Sequence, residues 1–166
     1  MKRISHSKKK LTVTSLDVPI AALARRTDHK TLAIWAADCV ERVLPLFETR
    51  CPADDRPRRA ISALRTWVQT GVFNMTSVRQ IALSAHAAAR QAEKDHAACA
   101  AARAAGQAMA TAHVPGHAVA AAVYAATAAS NAAGVAEGES TAELERRWQY
   151  QRLQELTKSA LSRPQF

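Results

Sequence analysis

Glycine is scarce in this chain, with five among 166 residues, and no GxxxxGKS/T, GxGxxG or GxSxG pattern occurs. A loop that cradles phosphate with backbone N–H groups needs glycine where a side chain would block the approach. A nucleophile elbow needs it at a strained strand-to-helix turn. Those enzymatic signatures are excluded. Cysteine is sparse as well: Cys39, Cys51 and Cys99 are odd in number, widely spaced and without a CxxC. Neither a disulfide framework nor a zinc knuckle is indicated, which fits a reducing, cytoplasmic setting. None of the three stands in a Cys-His nucleophile context, and HExxH is missing.

Charge is absent over a long stretch, since no Lys, Arg, Asp or Glu lies between Ala104 and Ala136. A membrane span would need an unbroken, strongly apolar run. Here Leu, Ile and Phe are missing, Pro115-Gly116 divides the run, and Gln107, His113, His117, Ser130 and Asn131 would all need partners in hydrocarbon. A buried helical hairpin explains the stretch better. A secretory signal fails similarly: residues 1–10 imitate a basic n-region, but Asp17 and Pro19 interrupt the apolar segment that should follow.

Alanine is what the chain has in excess, supplying 26 of the 52 residues from Ala82 to Ala133. It is the best intrinsic helix former, and its single methyl lets helix backbones approach closely. Apolar residues recur at helical spacing along most of the sequence. After a short helix over about Val18–Arg26, Asp28 caps a helix with the stripe Leu32, Trp35, Ala36, Cys39, Val40, Val43, Leu44 and Phe47. Pro45 kinks that helix or marks its last turn. Asp55 with Pro57 in the first turn opens the next, and Gly71 closes it. Thr76 or Ser77, and then Asp95, open two more. Pro115-Gly116 breaks the chain before a sixth, and Ser140 to Glu143 forms a capping box for the last. In that last helix Leu144 and Trp148 face one way, and Leu153, Leu156 and Ala160 nearly the opposite way. It therefore packs between two partners or turns near Tyr150.

The expected fold is all-α: about seven helices in a compact antiparallel bundle or a stack of helical hairpins. The expected organisation is a basic disordered tail at 1–10, a single helical domain at 11–160 and a C-terminal tail at 161–166. The alanine surfaces could be buried within one chain or between two copies in a homodimer. Of the formal net charge of +9, Lys2, Arg3, Lys8, Lys9 and Lys10 carry five, so nucleic-acid association rests on the tail alone.

Few constellations could carry chemistry. His113 and His117 have the spacing that puts two imidazoles on one helix face for a metal or other ligand. Pro115-Gly116 falls between them, and a third ligand would have to come from His86, His96 or Asp95. A structural role at a tight corner is the competing reading. Asp38, Glu41 and Glu48 make a candidate acidic binding face; Arg56, Arg58 and Arg59 make a candidate basic corner. Each has a plain alternative in a solvated helix surface or a capped helix start. Trp35, Trp67, Pro57, Gly106, Pro115 and Gly116 are expected to be structural, as is Trp148. No cofactor is indicated.

Four segments carry a resemblance: LAIWAADCVERVLPLFE (32–48), DDRPRRAISALRTWVQTG (54–71), AARAAGQAMATAHVPGHAVAAAVYA (101–125) and ERRWQYQRL (145–153). Together they resemble the immunity-five-like family of bacterial immunity proteins, over about residues 11–157. The resemblance implies an all-helical, non-enzymatic protein that protects its producer by binding a cognate toxin. It implies no catalytic residues. The positions fitting the family pattern are Trp35, Asp38, Glu41, Arg56, Pro57, Arg58, Trp67, His113 and His117. The net basic character departs from the acidic surface expected of an inhibitor facing a nuclease.

Overall fold

The computed structural model describes residues 11–162. Among them are seven α-helices and no strand: α1 (Asp17–Ala24), α2 (His29–Arg50), α3 (Arg56–Thr70), α4 (Met75–Gln91), α5 (His96–Ala110), α6 (His117–Ala133) and α7 (Gly138–Leu161). Short loops make consecutive helices antiparallel. Two sets of contacts fix the ends of the bundle. At one end Arg50, the last residue of α2, approaches Asp95 of the α4–α5 loop at 3.5 Å. At the other, His29 Nε2 donates to the Thr111 carbonyl, joining the start of α2 to the α5–α6 loop. The basic tail at 1–10 and residues 163–166 lie outside the described residues, and α7 itself runs on to Leu161.

Local chemistry sets several helix ends where the sequence puts them. Asp28 Oδ1 accepts from the Thr31 amide at 2.9 Å, and Asp95 Oδ1 from the Ala98 amide at 3.0 Å. Each satisfies one of the donors left orphaned in a first turn. Gly71 closes α3 at φ 67°, a left-handed conformation that a Cβ would strain. Pro45 does not end α2, which continues to Arg50; the proline sits on the solvent side, where water can satisfy the carbonyl it fails to bond.

Three ends differ from expectation. Asn74 caps α4 by accepting from the Ser77 amide at 2.9 Å, so Ser77 donates to the cap instead of being it. Asp55 stands at the N-cap of α3 without a side-chain bond, and Asp54 accepts from the Arg56 amide at 3.2 Å. The Ser140–Glu143 capping box does not form, because α7 starts earlier, at Gly138. Glu143 instead accepts from the Ser15 amide at 3.1 Å.

Alanine decides the centre of the bundle. Nine of the fifteen residues of α5 are buried, seven of them alanine, with α2, α3, α4 and α6 packed around it. A methyl contributes only about 0.8 kcal/mol on burial, so the value of alanine here is close backbone approach and dense packing. The largest buried apolar side chains include Trp35, Leu44 and Phe47 from α2, Ile61 and Leu64 from α3, and Leu153 from α7. The alanine stripes of α5 and α6 are thus covered within the chain.

Helix α7 is continuous, with no turn near Tyr150, and packs against α6 and also against α2 and α1, the arrangement with more than one partner. Its buried face is Ala142, Glu145, Arg146, Gln149 and Leu153, while Leu144 is exposed. The helix turns a polar stripe inward.

Candidate functional site

Asp38 and Glu41 were expected to form an acidic binding face, and the structure places them in a lock between helices. Asp38 accepts from Arg65 Nη2 on α3 at 2.6 Å and from Arg152 Nε on α7 at 2.7 Å. Glu41 Oε2 accepts from the same Arg65 nitrogen at 2.7 Å. One turn of α2 therefore ties α3 and α7 through charge-assisted bonds. Leu, Val and Trp at i, i+3, i+4 spacing bury the opposite side of α2, which turns these carboxylates outward to meet their neighbours.

The basic corner is largely paired too. Arg58 bonds both oxygens of Glu48, at 2.7 and 2.8 Å, and holds that carboxyl below its usual range. Arg56 does the same to Asp54, at 2.8 and 2.6 Å, and its Nη2 also donates to Gln91 Oε1. Pro57 is buried in the first turn of α3. Arg59 is exposed, with no carboxylate at ion-pair distance among the described residues.

The two histidines are sent to different partners. His117 Nδ1 donates to Gln107 Oε1 at 2.7 Å, closing the α5–α6 corner. His113 is exposed at the corner and stacks on Phe73 of the α3–α4 loop, with ring centroids 6.4 Å apart. Among the described residues no group of three or more His, Cys, Asp or Glu is placed to hold a metal ion. Gly106 has a packing reason: a Cβ there would lie 2.7 Å from the His86 ring. Pro115 and Gly116 sit in the exposed corner ahead of α6. Trp35 is fully buried, whereas Trp67 is half-buried against His29 and Trp148 half-buried under the Arg42 guanidinium, 4.0 Å from its ring.

A buried polar spine escaped the sequence reading. Trp35 Nε1 donates to the Gln149 carbonyl at 2.8 Å, and Gln149 Nε2 donates to the Ala122 carbonyl at 2.9 Å. Arg146 donates to Gln149 Oε1 at 2.7 Å and to Asp17 Oδ1 at 2.7 Å. Arg42 grips Glu145 through Nε and Nη2. The only available signal was the departure of α7 from a single apolar stripe.

Residues 22–156 match the sequence profile of the Imm-5 like putative immunity protein family. That is well over half of the chain. The protein belongs to this family. No curated protein and no solved structure matches it significantly. This immunity-family chain has no helix, among its described residues, long and apolar enough to cross a membrane. The family match covers α2 to α6 and most of α7, so it includes the Asp38 lock, the Arg56–Arg58 corner and the polar spine except for Asp17.

Proposed function

We propose that this protein is a non-enzymatic binding module that neutralises a cognate bacterial toxin by occupying it, inside the cytoplasm of the cell that makes both. The observation that carries this reading is membership of the immunity-protein family over residues 22–156. The packing supports it in a general way. Asp38, Glu41, Arg56 and Arg58 are all held in pairs. These pairs fix α2, α3 and α7 as a rigid frame, so the chain loses little freedom on association and less interaction energy is lost to ordering. The test is co-expression with the toxin module encoded beside this gene. Restored growth, and recovery of both chains as one complex, are the expected results. Unrelieved toxicity with the immunity-family chain expressed in excess defeats the reading.

A further inference from the structure

The α3–α4 hairpin has an unusual charge balance. Between Arg56 and Ala92 the chain has no Asp or Glu, yet it carries Arg56, Arg58, Arg59, Arg65, Arg79 and Arg90. Three of these reach carboxylates outside the hairpin: Arg56 to Asp54, Arg58 to Glu48, and Arg65 to Asp38 and Glu41. Arg59, Arg79 and Arg90 are exposed and have no ion-pair partner among the described residues. Arg79 and Arg90 are eleven residues apart, about three helical turns, so they project from nearly the same side of α4. Leu83 stands between them, 62% exposed.

The same hairpin concentrates apolar surface. Val72, Phe73, Met75 and Leu83 are four of the eleven large hydrophobic side chains exposed among the described residues. A groove of about 710 Å³ runs between the two helices, lined by Arg59, Ala63, Ile81, Leu83 and Ala87 among others, with no acidic residue in its wall. Exposed apolar side chains beside unpaired arginines offer a partner both apolar burial and charge pairing. A guanidinium presents a planar fork that fits a carboxylate with two parallel bonds. A nucleic-acid backbone would satisfy the charge but has no use for Ile81 and Leu83, whereas an acidic amphipathic protein segment uses both.

We propose that the α3–α4 hairpin is the toxin-docking surface, and that its groove receives an acidic, amphipathic segment of the toxin. This rests on the toxin-binding reading above and names the face and the partner's chemistry. The experiment measures binding of the full chain to the purified toxin module encoded beside this gene, with duplex DNA as a second probe. The variants are Arg59→Glu, Arg79→Glu, Arg90→Glu and Leu83→Asp, with the milder Arg79→Gln in reserve; Arg147→Glu on exposed α7 is the control. Like charges set against an acidic partner should weaken binding at least about tenfold, while the control stays within about twofold. Thermal unfolding of the hairpin variants above about pH 7 should match wild type, since these side chains make no ion pair among the described residues. Toxin binding by the hairpin variants as tight as wild type overturns the docking surface but leaves toxin binding standing. A wild-type chain that binds duplex DNA and not the toxin overturns both.

Discussion

Arg146 on α7 reaches across 129 residues of sequence to Asp17 on α1, donating from Nε at 2.9 Å and Nη2 at 2.7 Å to one carboxylate oxygen. The guanidinium is 1% exposed, while the carboxylate keeps 28% of its side-chain surface. Removing one partner of such a pair leaves a buried charge uncompensated. Asp17→Ala should therefore cost about 3 kcal/mol, the lower end of the usual range because water already reaches Asp17. Replacing both residues, with Arg146→Met, should cost less than the sum of the two single changes, although Gln149 Oε1 then loses its donor. Urea unfolding of the three variants checks this sub-additivity.

Asp38 joins α2 to both α3 and α7. Asp38→Asn keeps the shape but weakens two charge-assisted bonds, for an expected loss of about 2 kcal/mol. With Arg65→Ala the loss should be sub-additive, since both changes break one network. Toxin affinity at a temperature where the variant stays folded should be unchanged. A large drop in affinity without a drop in stability would return Asp38 to the binding surface.

How far these contacts were legible depended on their range in sequence. The Asp28 and Asp95 caps are local, a side chain answering an amide three residues on, so the spacing reveals them. Gly71 is equally local. The pairs Arg146–Asp17, Arg152–Asp38 and Arg42–Glu145 span more than a hundred residues, and only the fold brings them together. The polarity of Gln149 and Arg146 disguised a buried face as a solvent face. Tertiary context also overrode a local signal at Glu143, which left its capping box for Ser15. At the candidate site, composition identified Arg56, Arg58 and Arg59 together but could not tell the two paired arginines from the third.

Gly106 and His86 form a matched pair. Alanine gains up to about 1 kcal/mol over glycine in a helix interior, but its Cβ would meet the His86 ring at 2.7 Å. Gly106→Ala should destabilise the wild-type chain by about 1 kcal/mol through overpacking. In a His86→Ala background the same change should stabilise. A four-member thermal-unfolding cycle measures the reversal of sign.

His86 also predicts a pH dependence. Burial lowers its pKa below the ordinary 6.5, and the neighbouring charges of Arg103, Arg90 and His117 act in the same direction. The neutral ring is favoured in the native state, so above the unfolded value its contribution to stability is fully present. As pH falls below about 6.5 the unfolded chain takes up a proton that the native chain resists, and stability declines. His86→Gln should flatten the stability profile between about pH 7 and pH 5 relative to wild type. Parallel profiles would contradict the assignment.

Stoichiometry tests the central claim most directly. The toxin module's own activity is titrated with the purified, full-length chain. A binder that works by occupation should abolish activity at one equivalent of chain per toxin, with the toxin recovered unmodified on dissociation. Full inactivation by a small fraction of an equivalent, or undiminished activity in excess, would contradict the account.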